Sequence, residues 1–227
     1  MASIKIRQGE GMVSVFDATG CGVPDEGATG RLSTNEVSEV TWEEQIDEGD
    51  TNVERNFTGR KCHTDVGSDE LQNTQVTLTT CGIIPALDNF LMGSNAKVRA
   101  GSTVGYGRVD LDANAVVIVE VLVQLDANAC ELGGGEEAPV FGVLFPLVKN
   151  WKPNGATTIN GTDLVKPGFQ GKGFKSSGLD PEALPTDLDK WTDVYDSDEW
   201  YTTYLFDGAD VTLPESSSDP AAFGTGS

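Results

Sequence analysis

The segment Asp69 to Gly93, which after Asp69 and Glu70 runs Leu71-Gln-Asn-Thr-Gln-Val-Thr-Leu-Thr-Thr-Cys-Gly-Ile-Ile-Pro-Ala-Leu-Asp-Asn-Phe-Leu-Met-Gly93, passes from one periodicity to another. Its first half alternates loosely in polarity and is rich in Thr and Val. β-Branched residues suit a pleated, half-buried surface, so a strand is expected up to about Cys81. Gly82 breaks that pattern. Pro85 then fits the first turn of a helix, where its missing N–H would have no intrahelical partner. Ile84, Leu87 and Leu91 fall at helical spacing, Phe90 widens the stripe and Gly93 supplies a stop, giving a short helix over about 84–92. Burying each of these four side chains is worth about 1.5–3 kcal/mol, so the oily face is expected to lie against a sheet.

Outside this corner the chain reads as strands. Ser3 to Arg7 and Met12 to Asp17 alternate apolar with polar residues, while the glycines between Ala18 and Gly30 read as a loop or arm. Val37, Val40 and Trp42 open a strand that runs into Glu43, Glu44, Asp47 and Glu48. Val53 to His63 reads as a hairpin around Asn56-Phe-Thr-Gly59, with Arg55, Arg60 and Lys61 clustered there. Acid on one limb and base at the tip make a plausible docking pair between copies, or an ordinary charged hairpin. Ala96 to Arg99 and Gly105 to Leu111 are short and interrupted by glycine.

The strongest strand is Val116 to Leu125, with Val117, Val119, Val121 and Val123 on one face and Val116, Ile118, Glu120, Leu122 and Gln124 on the other. The second face is mixed, so only one side need be dry. Leu-Asp-Ala-Asn-Ala occurs at both ends of this strand, at Leu111 to Ala115 and Leu125 to Ala129, and reads as two similar turns. Glu131 to Glu137 reads as a flexible connection, and Val140 to Val148 as a buried strand. Gly161 to Gly178 suits a bent strand or strand pair. Asp180 to Asp219 is acidic with Lys190 as its only base, yet holds an aromatic strand from Tyr201 to Phe206. Ser216 to Ser227 is small and polar and expected to be loose. No boundary divides the 227 residues, so a single domain over 1–227 is expected, with a charged hairpin around 43–66 and an extended acidic segment over 180–227.

The formal net charge of −21 argues against holding nucleic acid, because duplex binding rests on Lys and Arg replacing counterions. It equally disfavours an anionic membrane. Cys21, Cys62, Cys81 and Cys130 are irregularly spaced and the only histidine, His63, adjoins Cys62, which is not ligand spacing. Parity admits disulfides, but Met1 to Gly20 has no signal-like apolar run, so free thiols are expected, with no metal, no cofactor and no membrane anchor. Asp110, Asp112 and Asn114 begin like a calcium loop, but Ala115 and Val121 stand where glycine and a carboxylate are needed. Gly101 to Gly107 matches no phosphate-binding fingerprint. No catalytic motif is present, so the expectation is a protein that is not an enzyme. An acidic β-sandwich that binds or cleaves carbohydrate is the reading from another class, with Trp42, Trp151, Trp191 and Trp200 as platforms.

Trp42-Glu-Glu-Gln-Ile-Asp-Glu-Gly-Asp50, Gly59-Arg-Lys-Cys62 and the Leu71 to Gly93 run resemble the major tail (tail tube) proteins of long-tailed, non-contractile bacteriophages. Gly105-Tyr-Gly107 followed by the Val116 to Gln124 strand looks like their later sheet. The resemblance covers Val37 to Val148. It implies a mainly β, sandwich- or barrel-like fold with one flanking helix, a long loop and terminal arms. It also implies six copies closing into rings that stack into a tube, with DNA passing down the lumen without specific binding. The tape measure and the tail terminator or tip proteins would be further partners. The implied location is the virion tail, after synthesis and assembly in the host bacterial cytoplasm. On this resemblance Glu43, Glu44, Asp47, Glu48, Arg55, Arg60 and Lys61 are the candidate stacking contacts, Glu120 and Gln124 candidate lumen residues, and Ile84, Leu87, Phe90 and Leu91 the scaffold helix core. Another virion β protein, a capsid decoration or tail-tip component, is the related alternative.

Overall fold

The computed structural model describes residues 2–4, 11–49, 51–55, 61–66, 68–93, 95–99, 102–107, 115–125, 139–155, 166–207, 210–217 and 221–223. In chain order the elements are β1 (Ala2–Ile4), β2 (Gly11–Thr19), β3 (Val23–Pro24), β4 (Gly27–Thr34), β5 (Val37–Asp47), β6 (Thr51–Arg55), β7 (Lys61–Val66) and β8 (Glu70–Thr80). They continue with helix α1 (Pro85–Met92), β9 (Asn95–Arg99), β10 (Ser102–Gly107), β11 (Val116–Gln124), β12 (Val140–Pro153) and β13 (Gly168–Gly173). A short 3-10 helix (Thr186–Trp191), β14 (Thr202–Phe206) and β15 (Ala221–Phe223) complete the series. The fold is mainly β. Eleven strands form one sheet whose main path is β1-β5-β8-β13-β12-β11-β2-β4-β15.

The sheet forks at β12. One edge of this fourteen-residue strand pairs with β11; its other edge takes β14 opposite Val140–Leu144 and β13 opposite Val148–Pro153. The bend lies at Asn150, which is left-handed at φ 58°, inside a register shift between Lys149 and Lys152. Asparagine tolerates that conformation better than most side chains, and a bulge of this kind sharpens the local twist. The curl brings distant strands together. Trp42 of β5 meets Phe145 of β12 edge to face, ring centroids 5.8 Å apart, although β8 and β13 separate those strands in the sheet. Gly171 permits the close fold-back, since a Cβ there would stand 2.8 Å from both Trp151 and Val148.

Two apolar cores result. The first joins Val13, Val15 and Leu32 to Val40, Trp42, Val76 and Leu78, together with the odd-numbered valines of β11 and the helix. Helix α1 begins at Pro85, one residue later than its apolar stripe, and ends on Gly93 at φ 65°. Ile84, Leu87 and Leu91 are buried and Phe90 packs partly against the same core. The second core covers the opposite face. Val116, Ile118 and Leu122 of β11 and Leu144 of β12 meet Leu179, Leu188, Trp191, Tyr195, Phe206 and Val211 from the C-terminal third.

Three expectations change, and one is placed more closely. The glycine-rich stretch after Ala18 is not a loop throughout: β2 runs to Thr19 and β4 starts at Gly27, pairing Val13–Phe16 with Arg31–Thr34. Glu43, Glu44 and Asp47 lie within β5, paired to β8. The mixed face of β11 is dry because the acidic C-terminal segment covers it. Ser216 bonds Asn35 through its hydroxyl and β15 pairs with β4, so Ser216 and 221–223 are held against the sheet. The hairpin turn 56–60, the residues 111–114 and 126–129 of the repeated pentapeptides and the glycine run 131–137 lie outside the described residues.

Candidate functional site

Strands β5 and β8 pair from Val37–Thr80 to Asp47–Glu70, and β6 and β7 take up the pairing again from Thr51–Val66. Asp47–Glu70 and Thr51–Val66 share one register, but β5 and β8 belong to the main sheet, while β6 and β7 form a separate two-stranded sheet. Among the described residues β6 and β7 pair with each other and with no other strand. A lone two-stranded ribbon gains little stability by itself in water, so it profits from a partner surface. Arg55 stands opposite Lys61 in register. Arg60 lies outside the described residues. Of the acids at the ribbon's base, Asp47 accepts from Gln72 Nε2 at 2.8 Å and Glu44 accepts from Tyr201 Oη at 2.9 Å. Glu43 and Glu48 have no hydrogen-bond or ion-pair partner among the described residues.

Glu120 is 2% exposed and does not face an open lumen. Its Oε1 accepts from Trp191 Nε1 at 2.6 Å and from Lys190 Nζ at 2.6 Å. The sheet delivers the acid and the 3-10 helix delivers both donors. Lys190, the only base of the Asp180 to Asp219 stretch, thus neutralises the only acid of β11. Beside them Arg31 Nη1 pairs with Asp187 Oδ1 at 2.8 Å, tying β4 to the same helix, while Arg31 Nε is buried without a partner. Glu120, Lys190, Arg31 and Asp187 line a cleft of about 690 Å³, together with residues 210–217. Gln124, the other candidate lumen residue, is exposed at the end of β11.

The aromatic residues are mostly structural. Trp42, Trp151 and Trp191 are buried, which removes three of the four proposed sugar platforms. Trp200 packs near Phe174 and under Lys175 Nζ, 5.9 Å from its ring centroid. Tyr201 stacks against Trp42 and Phe145, and burial, with Glu44 beside it, holds its hydroxyl above the ordinary tyrosine range. Burial also pushes the Tyr195 hydroxyl well up, and partial desolvation raises Asp17, exposed on β2, from 3.8 despite the Ala18 amide that favours its charged form. Sequence reasoning missed the Glu120–Lys190–Trp191 group, whose only trace was one acid and one base in segments of otherwise opposite character.

Among the described residues no group of three His, Cys, Asp or Glu side chains is placed to hold a metal. His63 lies on β7 opposite Glu54. Cys21 and Cys81 are free and exposed; Cys62 lies on β7, and Cys130 and the Asp110–Asn114 segment are outside the described residues. No described helix is long and apolar enough to cross a membrane. No family model matches the chain, and no curated protein matches it at a significant level. Among solved structures, a chain of the PVC sheath–tube complex, an extracellular contractile injection system in its extended state, is similar over 74% of this chain and 87% of that one. The identity is 15% and the TM-score 0.28.

Proposed function

We propose that this chain is a structural subunit, not an enzyme, and that it builds the tail tube of a long-tailed, non-contractile bacteriophage. Six copies close into a ring, rings stack into a tube, and genomic DNA passes through without specific binding. The observation that carries this reading is the ribbon of β6 and β7. Among the described residues β6 and β7 pair only with each other, and a basic tip on a chain of charge −21 seeks acid elsewhere. Glu43 and Glu48 of a second copy supply acid without an internal partner. A heterologous contact that closes gives a ring, and joined sheets hide their edges. An acidic conduit repels phosphate, so DNA slides rather than stalls. The tape measure and the tail terminator or tip proteins are the further partners of this reading, and the virion tail is its location.

Electron microscopy of the purified chain tests the proposal. Rings with a six-fold axis and stacks of them are expected. Isolated particles that bind glycans at every protein concentration would contradict it and favour a carbohydrate-binding role.

A further inference from the structure

β5, β8, β13 and the second half of β12 are consecutive neighbours in the sheet, and one face of them carries polar residues row by row. The pairing sets Glu43 opposite Gln75, Gln75 opposite Lys172 and Lys172 opposite Lys149. The next row runs Thr41, Thr77, Gln170 and Lys152. Val40 and Trp42 alternate with these positions along β5 and point into the first core, so the rows lie on the opposite face. The sheet curls towards Trp42 and Phe145, which makes the polar face the convex one and splays its side chains. Acid stands at its β5 margin, where Glu39 lies two positions beyond Thr41, and base at its β12–β13 margin. Three inter-strand spacings, about 14 Å, separate Glu43 from Lys149. That exceeds the screening length of about 8 Å at 0.15 M salt, so the two margins do not neutralise each other within one copy.

The base margin concentrates charge. Residues 149–175 hold five lysines and one acid, in a chain of net charge −21. Lys152 and Lys172 are exposed and Lys149 is half-buried. None of the three has an ion pair among the described residues. Lys149 and Lys172 repel one another across the ladder. Lys149 Nζ lies 4.6 Å from the ring centroid of Phe174, and Phe174 packs beside Trp200, which carries Lys175 Nζ at 5.9 Å. The rings fix the ammonium groups and shed water from one side of them without cancelling their charge.

We infer that the lysine margin of this face, Lys149, Lys152 and Lys172, receives the acid margin, Glu39 and Glu43, of a second copy. This rests on the self-assembly reading above and deepens it by naming the surface that joins neighbours within a ring. The two margins are different surfaces, so the contact is heterologous: each copy gives acid to one neighbour and base to the other, and such a contact can close. Two acid margins or two lysine margins repel, which fixes how neighbours are oriented. A second copy is favoured over nucleic acid because phosphates laid along this face would meet Glu39 and Glu43 at its far margin. Glu48 lies outside these rows and stays available to the ribbon tip.

Charge reversal in separate chains tests the pairing. One chain carries Lys152→Glu with Lys172→Glu, the other Glu39→Lys with Glu43→Lys. Sedimentation velocity at one salt concentration reads the protein concentration at which assemblies form, and circular dichroism checks each fold. The two reversals shift the net charge by four in opposite directions, so overall repulsion alone would hinder the first chain and help the second. The pairing predicts that each chain alone needs about tenfold more protein to assemble, and that their equimolar mixture returns to the concentration of the unmodified chain. Where a reversed chain loses its fold, Lys152→Gln with Lys172→Gln reads the same contact: a rise of about threefold is expected, and no rise overturns the pairing. Reversed chains that assemble as the unmodified chain does, or a mixture no better than its parts, overturn the pairing while self-assembly stands. Duplex DNA retained by the unmodified chain and released by the lysine-reversed one would assign the lysines to nucleic acid instead. An unmodified chain that stays single at every concentration overturns self-assembly and the pairing with it.

Discussion

Lys190 and Glu120 show how one pair of residues fixes the placement of the C-terminal third. A carboxylate at 2% exposure is tolerable only with its charge met, and Lys190 Nζ and Trp191 Nε1 meet it on one oxygen. Removing one partner leaves an uncompensated buried charge, so Lys190→Met is expected to cost about 3–5 kcal/mol in denaturant unfolding. The double variant Glu120→Leu with Lys190→Met is expected to recover most of that loss, since neither charge then remains. Trp191→Phe keeps most of the packing and drops one bond to a charged acceptor, a loss of about 1.5–3 kcal/mol. Asp17 behaves in the opposite sense. It is exposed on β2, and its pKa is raised by partial desolvation with repulsion from Asp25 added, so the fold's preference for the protonated acid is weak. That contribution is complete below the ordinary value of 3.8 and is lost as pH rises through the folded value. Because Asp17 is exposed on β2, Asp17→Asn is expected to raise the melting temperature only slightly at pH 7 and to leave it nearly unchanged at pH 3. An equal shift at both values would refute the assignment.

At the scale of elements, the basic ribbon tip is the part most exposed to test. Replacing Arg55, Arg60 and Lys61 by Glu is expected to leave circular dichroism and melting little changed and to shorten or abolish tubes in electron micrographs. Tubes of normal length would remove the ribbon from the stacking contact. What could be read from the sequence follows the range of the forces involved. The β8–α1 corner was legible because alternation, Pro85 and Gly93 act within a few residues. β4 was not, because Gly27 and Gly30 signal a loop locally, while the pairing of Arg31–Thr34 with β2 is tertiary. The mixed face of β11 looked open for the same reason, since Trp191, which caps Glu120, lies 71 residues away in sequence. The acids that continue the Val37–Trp42 strand lie in β5, where an antiparallel neighbour accepts them. β15 left no trace in its small, polar surroundings.

The molecule as a whole carries −21 charges, so copies repel one another before any edge or ribbon can meet. That repulsion is long-ranged at low ionic strength and is cut to within about 8 Å at 0.15 M salt. The edge ladders and apolar contacts act at short range and survive screening. The few Arg and Lys contacts weaken with salt, but on a chain so far from neutrality the net repulsion weakens more. Duplex DNA is expected to pass through a gel-shift assay unretained even at 10 mM salt, where electrostatic capture is strongest, and retention there would contradict a conduit lined by acid. The most direct measurement is sedimentation velocity of the purified chain across protein concentration at 10 mM and at 300 mM salt. A 24.1 kDa species that gives way, at the higher salt, to a closed species of six copies and multiples of it is the result predicted. A single 24.1 kDa species at every concentration and both salts would contradict it.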